Sequence, residues 1–247
     1  MAAKDKTIAL VTGANQGIGF AICKRLATEH GYHVIMTGRR EDVMKAKAKE
    51  LQDEGLEVEG HAMDVTSDES IDEVVRQVQS LSKFGHLDVL VNNAGIARVT
   101  PPSDSLSTEY RQLLNTNVIG PMSVTEKFLP LLAQSDKTKR VVFVSSGAGS
   151  ITNWATPGSA NRAFKVPAYA VSKSALNALC VQYAVAHEDD KSWKFNCCCP
   201  GYVATNMNSY QGVKTTEAGA EIICHLATLG GSGPTGTYVN QEGPIPW

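Results

Sequence analysis

The feature that most constrains the fold of this chain is a glycine-rich turn between an apolar segment and a helical pattern. Residues 8–11 are Ile-Ala-Leu-Val, which is typical of a buried strand, and residues 17–29 place apolar side chains on one stripe of a helix. Between them, residues 12–19 read Thr-Gly-Ala-Asn-Gln-Gly-Ile-Gly. This order of strand, turn and helix creates an anion-binding site, because the first N–H groups of the helix have no partner within it. Gly13 allows the tight turn, and Gly17 lets the backbone approach a pyrophosphate closely. Gly19 lets the helix pack closely on the strand.

The same alternation of apolar strands and amphipathic helices continues along the chain. Strands are predicted at residues 33–36, 58–63, 87–91, 140–144, 194–199 and 236–240. Helices are predicted at residues 41–54, 106–117, 121–132, 169–187 and 216–229, with another after the N-cap residue Ser67. Residues 151–166 fit neither period and are predicted to form a loop. The pattern indicates an α/β fold, a single Rossmann-type doubly wound domain over residues 1–247 with a mostly parallel seven-stranded sheet.

Composition narrows the class of protein without indicating a function. The chain has 247 residues, 43% of them hydrophobic and 19% charged, with 23 Lys and Arg against 25 Asp and Glu. These values exclude disordered, collagen-like and membrane-spanning chains, and the lack of a basic excess argues against nucleic acid as a partner. The six cysteines include no Cys-x-x-Cys pair. We therefore expect buried free thiols, no bound metal and a cytoplasmic location.

Two arginines follow the second predicted strand, at the distance from the glycine-rich turn where a dinucleotide-binding fold contacts the adenine ribose. An acidic residue at this place binds a free 2′-hydroxyl group. Arg39 and Arg40 instead fit a 2′-phosphate through charge-assisted hydrogen bonds. The following Glu41 and Asp42 suit the first turn of a helix. We therefore favour NADP over NAD as the cofactor, with NAD as the alternative.

A series of motifs follows in order at the ends of the predicted elements. They are Thr12-Gly-x-x-x-Gly-x-Gly19, Asp64-Val65, Asn92-Asn-Ala-Gly95, Asn117, Ser145-Ser146, Tyr169-x-x-x-Lys173 and Pro200-Gly201. With these motifs the chain resembles the short-chain dehydrogenases/reductases over nearly its whole length. Residues 198–207 and 217–220 are similar to those of the carbonyl reductases within that family. The resemblance implies a nicotinamide cofactor and hydride transfer between it and a small carbonyl or alcohol substrate.

The chemistry of the Tyr-Lys motif can also be argued from the residues. Tyr169 and Lys173 are four positions apart and therefore share one helix face. A free tyrosine has a pKa of about 10, and a nearby ammonium group is expected to lower the pKa of Tyr169. Tyr169 would then donate a proton to a carbonyl oxygen as hydride arrives, while Ser146 donates a hydrogen bond to the same oxygen. The resemblance adds Asn117 to this catalytic set, as the holder of a water relay to Lys173, and gives Ser145 a backbone-bonding role.

Further contacts to cofactor and substrate are implied by the resemblance alone. Besides Tyr169 and Lys173, the implied cofactor contacts are Gly13, Asn15, Gln16, Gly17, Ile18, Gly19, Asp64, Val65, Asn93, Ala94, Gly95, Pro200, Gly201, Val203 and Thr205. The implied substrate contacts are Ser146, Ile96, Trp154, Tyr202 and Met207, which predict an apolar, partly aromatic mouth. Gln16 is a departure, because close carbonyl reductases place a basic residue in this turn. The interval between Ser146 and Tyr169 is longer than usual in the family. By the same resemblance, this longer interval favours a monomer, with a homo-oligomer as the alternative.

The sequence therefore predicts an NADPH-dependent reductase of an aldehyde or ketone, with no membrane or nucleic-acid partner. Two alternatives share its fold and motifs: an NAD-dependent alcohol dehydrogenase, and a ketoreductase dedicated to one biosynthetic pathway. A catalytically inactive dinucleotide sensor is disfavoured, because the chain keeps both Tyr169 and Lys173.

Overall fold

The computed structural model describes residues 6–80, 85–99 and 105–247, whose strands form one eight-stranded sheet. The strands are β1 (Ile8–Val11), β2 (His33–Gly38), β3 (Val58–Ala62), β4 (Val89–Asn92), β5 (Lys139–Val144), β6 (Trp193–Cys198), β7 (Thr237–Asn240) and β8 (Gly243–Pro244). The helices are α1 (Gly17–His30), α2 (Glu41–Asp53), α3 (Asp68–Ser80), α4 (Leu106–Leu114), α5 (Gly120–Ala133), α6 (Ile151–Ala155), α7 (Pro167–Ala186) and α8 (Thr216–Ala227). The predicted α/β doubly wound fold is confirmed.

The strand order is β3-β2-β1-β4-β5-β6-β7-β8. All neighbours from β3 to β7 are parallel, and β8 alone runs antiparallel to β7. The chain progresses outwards from β1 to β3 and then crosses to β4 on the other side of β1. The carboxyl ends of β1 and β4 therefore form a topological switch point, the place where folds of this kind bind ligands.

The predicted count of seven strands is wrong by one. β8 contains only Gly243 and Pro244, too few residues to produce an apolar period. It forms because the chain reverses after β7, which lets the Ile245 N–H donate to the Tyr238 carbonyl oxygen at 2.8 Å. A proline is tolerated here because β8 lies at the edge of the sheet, where its missing N–H breaks no ladder.

Alternate side chains of the strands divide the core into two layers. In β1, Ala9 and Val11 belong to the layer packed against α1, α2 and α8, whereas Ile8 and Leu10 belong to the layer packed against α3, α5 and α7. All four residues of β1 are buried. Because helices cover both faces of the sheet, β1 and the first three residues of β4 are apolar without alternation with polar residues.

Two segments differ from the sequence-based expectation. Residues 151–166, predicted as a loop, contain the short helix α6 and a 3₁₀ turn at Ala160–Ala163. Helix α6 begins where Ser150 Oγ accepts a hydrogen bond from Asn153 N at 3.1 Å, a cap that the search for apolar periodicity does not detect. The two helices predicted at 106–117 and 121–132 are joined without a break by a π-helical turn at Asn115–Ile119.

The predicted N-cap residue of α3 and five of the six predicted buried thiols are confirmed. Ser67 caps α3, since its Oγ accepts from Ser70 N at 3.2 Å. All six cysteines are free thiols, and five of them are buried, whereas Cys199 is half-buried. Within the described ranges no helix combines the length and the apolar content that crossing a bilayer requires.

Gly60 offers a test of how α2 packs on the sheet. A Cβ atom at Gly60 in β3 would lie 2.3 Å from the carbonyl oxygen of Met44, a backbone atom that a side-chain rotation does not move away. We expect Gly60→Ala to lower the free energy of unfolding by about 1–3 kcal/mol, because α2 must shift away from β3.

The matched control is Gly230→Ala, because a Cβ at that exposed position meets no atom within 4 Å. Its unfolding free energy, measured by denaturant titration, should stay within about 0.5 kcal/mol of the unmodified chain. Equal midpoints for the two variants would contradict the packing described for α2.

Candidate active site

The residues singled out from the sequence lie together at the carboxyl edge of the sheet. The glycine-rich turn follows β1, Asn93 to Gly95 follow β4, Ser145 and Ser146 follow β5, and Pro200 and Gly201 come shortly after β6. Arg39 and Asp64 follow β2 and β3 at the same edge. The motifs that are scattered over almost 200 residues of sequence are therefore brought to one side of the molecule.

The turn after β1 and the loop after β4 are joined into one rigid unit. Thr12 Oγ1 accepts hydrogen bonds from the backbone N–H groups of Asn93 and Ala94 at 3.0 and 2.9 Å. Asn93 Nδ2 donates to the carbonyl oxygens of Thr12 and Gly13 at 2.8 and 3.1 Å. Gly13 has φ +64°, and a Cβ there would lie 2.9 Å from Ala94 Cα. The close approach of these two loops therefore requires glycine at position 13.

The start of α1 has the donors that a pyrophosphate requires. Gln16 precedes the helix in an extended conformation, and its side chain makes no capping hydrogen bond. The first N–H groups of α1, among them those of Gly17, Ile18 and Gly19, have no partner within the helix and carry the positive end of its dipole. Thr205 lies opposite, with Cγ2 3.6 Å from the position of a Cβ on Gly17. The absence of a side chain at Gly17 (φ +58°) leaves this space open, so the residues present fit a dinucleotide phosphate.

The two arginines after β2 differ in their contacts. Arg40 is paired with Asp42 in the first turn of α2, with Nη2–Oδ2 and Nε–Oδ1 distances of 2.6 and 3.3 Å. Arg39 is exposed and has no hydrogen-bond or ion-pair partner in the part of the chain that the structure describes. Of the pair, Arg39 is therefore the guanidinium group available to a ligand.

One of the two carboxylate oxygens of Asp64 accepts hydrogen bonds from a residue close in sequence. Its Oδ1 accepts hydrogen bonds from Thr66 N and Thr66 Oγ1 at 2.9 and 2.7 Å. Val65 is buried, and the carbonyl oxygen of Val65 would lie 2.9 Å from a Cβ on Gly120 at the start of α5. The Asp64–Val65 pair therefore also fixes the entry to α3 and its contact with α5.

Lys173 is buried on the inner face of α7. Its Nζ donates to the carbonyl oxygen of Val144, the last residue of β5, at 2.8 Å, and lies 5.7 Å from the centre of the Tyr169 ring. Burial lowers the pKa of Lys173 from 10.5 to about 8. The four-residue spacing does place the ammonium group beside the phenol, as predicted.

The expectation that this ammonium group lowers the pKa of Tyr169 is wrong for the chain itself. Burial raises the pKa of Tyr169 to about 12, and a hydrogen bond with the Ser146 side chain opposes only part of that rise. Desolvation of the phenolate therefore dominates. Tyr169 stays protonated at neutral pH, which is the form that a proton donor needs.

The two serines after β5 have different partners. Ser146 is extended (φ −158°, ψ 150°), and its Oγ accepts a hydrogen bond from Ala148 N at 3.2 Å. The same hydroxyl also carries one hydrogen, which can be donated to Tyr169 or to a substrate. Ser145 bonds to backbone through its N–H, which donates to the Cys198 carbonyl oxygen at 2.7 Å, while its Oγ donates to the side-chain oxygen of Asn177 at 2.6 Å.

Asn117 is fully buried within the π-helical turn between α4 and α5. Its Oδ1 accepts from Ile96 N at 2.8 Å, and its Nδ2 donates to the Ile96 carbonyl oxygen at 2.8 Å and to Ser172 Oγ at 3.0 Å. A Cβ on Gly95 would lie 3.2 Å from Asn117 Oδ1 and 3.5 Å from Lys173 Nζ. Asn117 thus locks the loop after β4 next to Lys173.

The residues predicted to contact substrate lie on three segments: Ile96 on the loop after β4, Trp154 in α6, and Tyr202 and Met207 after β6. Trp154 Nε1 donates to the Ala148 carbonyl oxygen at 2.7 Å, which holds the indole beside the Ser146 turn. Tyr202 and Met207 are exposed on the segment after β6. That segment is closed by a bridge between Val203 and Lys214, and the Lys214 side chain packs over Gly201, which has φ +85°.

Two residues of this region were not found from the sequence. Arg98 Nη2 donates to the Met207 carbonyl oxygen at 3.2 Å and so bridges the loop after β4 to the segment after β6. The Tyr238 hydroxyl donates to the Ser146 carbonyl oxygen from β7. Neither lies in a motif. The signal available for Tyr238 was an aromatic residue with a hydroxyl group in a buried strand, which needs a partner for that hydroxyl.

Comparison with known proteins agrees with this arrangement. Residues 7–215 match the family model of the short chain dehydrogenases. The chain is 37% identical to the short-chain dehydrogenase anuI of Penicillium roqueforti over 93% of this chain and 92% of that protein. It is 32% identical to carbonyl reductase [NADPH] 1 of Rattus norvegicus over 98% and 99% of the two chains. The structure superposes on the NADPH-bound carbonyl reductase from chicken fatty liver with a TM-score of 0.80 and 27% identity, covering 99% of this chain and 100% of the other.

The chain therefore belongs to the short-chain dehydrogenase family, and it resembles the carbonyl reductases within it. The fold, the motifs and the relatives together place the chain in the class of oxidoreductases that act on small molecules.

The buried charge of Lys173 makes a prediction about stability. Its pKa is lower in the folded chain than in the unfolded chain, so folding is disfavoured while the group is protonated and becomes more favourable as the pH rises from about 8 to 10.5. We expect Lys173→Met to raise the unfolding free energy at pH 7 by about 2 kcal/mol, the desolvation cost less one lost hydrogen bond.

The measurement is denaturant unfolding at pH 7 and pH 10, with the exposed Lys191→Met as control. The difference in unfolding free energy between Lys173→Met and the unmodified chain should be smaller at pH 10 than at pH 7. The unfolding free energy of Lys191→Met should stay within about 0.5 kcal/mol of the unmodified chain at both pH values. A Lys173→Met variant less stable than the unmodified chain at pH 7 would contradict this account.

Proposed function

We propose that the protein is an NADPH-dependent carbonyl reductase, which reduces an aldehyde or ketone to the alcohol. The observation that carries the proposal is the meeting of Ser146, Tyr169 and Lys173 at the switch-point edge of the sheet, beside the glycine-rich turn. The similarity to carbonyl reductase [NADPH] 1 of Rattus norvegicus supports the same activity.

In this proposal the cofactor supplies a hydride to the carbonyl carbon. Tyr169 donates its proton to the carbonyl oxygen, and its raised pKa keeps that proton available over the whole neutral range. The Ser146 hydroxyl donates a hydrogen bond to the same oxygen and stabilises the negative charge that develops there. The Lys173 ammonium favours the tyrosinate left after proton transfer, and Asn117 holds the loop beside it.

The cofactor would be held along the carboxyl edge of the sheet. The start of α1 and Thr205 would bind its phosphates, Asp64 and Val65 its adenine, and the residues around Pro200 and Gly201 its nicotinamide. Arg39 would bind the 2′-phosphate, because its guanidinium group has no partner in the described residues. Gln16 contributes no charge to that phosphate, so the preference for NADPH over NADH rests on Arg39.

The proposed substrate class follows from the side chains predicted to contact the substrate. Ile96, Trp154, Tyr202 and Met207 supply apolar and aromatic surface, so an uncharged ketone or aldehyde with apolar substituents fits best. At neutral pH the phenol of Tyr169 is in the acid form that carbonyl reduction consumes.

Replacing Arg39 tests the cofactor preference. We expect Arg39→Ala to lower kcat/KM for NADPH at least about tenfold, the value of a lost charge-assisted hydrogen bond, while the value for NADH changes less than about twofold. Arg40→Ala is the matched control, because Arg40 is already paired with Asp42. Initial rates on one ketone with both cofactors give the answer. An unmodified enzyme that strongly prefers NADH would refute the cofactor assignment, and equal losses with both cofactors would refute the role of Arg39.

Replacing Tyr169 tests the reaction itself. A panel of uncharged aldehydes and ketones is assayed by NADPH consumption, first with the unmodified chain. We expect Tyr169→Phe to lower kcat at least about 100-fold, because the proton donor is gone, while NADPH binding, followed by its fluorescence, is retained. Tyr32→Phe, before β2 at the opposite edge of the sheet, serves as control and should keep its activity. Unaltered turnover in Tyr169→Phe would refute the mechanism, and no turnover of any carbonyl by the unmodified chain would refute the activity.

A further inference from the structure

Tyr238 lies in β7, 92 residues from Ser146 in sequence, yet the hydroxyl group of Tyr238 donates a hydrogen bond to the Ser146 carbonyl oxygen. The Tyr238 side chain is buried, with 2% of its surface exposed. The same carbonyl oxygen accepts a second hydrogen bond from Gly149 N at 2.8 Å. The backbone of Ser146 is therefore held from two sides, by its own turn and by the next-but-one strand of the sheet.

A second set of contacts holds the chain that follows the turn, at the start of α6. The Trp247 ring packs on the Tyr238 ring with centroids 5.4 Å apart. The carbonyl oxygen of Trp247 accepts from Thr152 N at 2.8 Å, and that of Pro246 accepts from Ser150 Oγ at 2.5 Å. The start of α6, which carries Trp154, is thus fixed to the chain after β8. Tyr238 and Trp247 therefore tie both the turn after Ser146 and the start of α6 to β7 and the chain after β8.

We propose that Tyr238 is a positioning residue, which holds Ser146 in the extended conformation that directs its hydroxyl hydrogen towards Tyr169. This inference rests on the proposed function, because it gives Ser146 the task of binding the carbonyl oxygen.

The hydrogen bonds of Ser146 depend on the turn that Tyr238 holds. Its Oγ accepts from Ala148 N at 3.2 Å only while the turn at Gly147–Gly149 is formed, and that contact directs the remaining hydrogen outwards. Three residues of this turn are glycine or alanine, which do not restrict the backbone by their own packing. Without the Tyr238 hydroxyl, the Ser146 carbonyl keeps only its bond within the turn. Ser146 would then sample orientations in which its hydroxyl no longer meets the substrate oxygen.

The test compares two changes of the same chemistry. Tyr238→Phe removes one buried hydroxyl and keeps the ring against Trp247. Tyr183→Phe removes another, whose oxygen donates to Glu126 Oε1 at 2.6 Å in the core between α7 and α5. We expect Tyr238→Phe to lower kcat about tenfold, the factor that one misplaced hydrogen bond gives, with an unchanged KM for NADPH. Tyr183→Phe should keep its kcat, although both variants lose stability.

Equal kcat values for Tyr238→Phe and the unmodified enzyme would overturn the proposal, and so would equal losses in both variants, which would indicate a general loss of stability. Trp247 supplies a further check through the same contact. Trp247→Ala should lower kcat, as Tyr238→Phe does. Trp247→Phe keeps an aromatic ring on Tyr238, so its kcat should equal that of the unmodified enzyme. Failure of the conservative variant to keep that kcat would count against the role of this contact.

Hydrogen exchange separates this proposal from the proposed activity. The amides of Ala148, Gly149 and Thr152 bond to Ser146 or Trp247 and should exchange faster in Tyr238→Phe than in Tyr183→Phe. If the unmodified chain reduces no carbonyl in the panel, the proposed function fails, and the exchange rates still decide whether Tyr238 holds Ser146. Unchanged exchange in Tyr238→Phe would refute that role in either case.

Discussion

The ammonium group of Lys173 is buried between α7 and the end of β5, and removing such a charge from water costs free energy that other contacts must offset. One hydrogen bond to Val144 holds it, and among the described residues no carboxylate pairs with it. The offset comes from the helix that carries it, since Leu176, Cys180 and Tyr183 of α7 are buried against the sheet. The helix must be docked along its length before the cation is held at the end of β5, so the geometry of the site depends on the apolar core beneath it.

Positions that depend on neighbours close in sequence could be predicted. Gly13 and Gly17 do take positive φ values, because a tight turn between a strand and a helix leaves few other conformations. The four-residue interval between Tyr169 and Lys173 does place them together, because helix geometry alone sets that distance. The strands of the central sheet were also found, since burial on both faces makes each of them a continuous apolar run.

Features that depend on distant segments could not be predicted. The partner of Ser145 is Asn177 on α7, and the partner of Arg98 is the backbone of Met207, 109 residues later. No spacing rule connects such positions. The pKa of Tyr169 shows the same limit: proximity to a cation was evident from the motif, but the opposing desolvation depends on how the whole edge of the sheet surrounds the phenol.

The π-helical turn at Asn115–Ile119 has a consequence for how this chain can change over time. A π turn contains one residue more than a regular α-helical turn, and each residue of an α-helix advances the side chains by about 100°. Deleting one residue here would rotate the side chains of α4 relative to those of α5 by about 100°. Asn117 could then no longer bond to both backbone atoms of Ile96. The number of residues in this turn therefore matters as much as the identity of Asn117, since a change in either would release the loop after β4 from the helix.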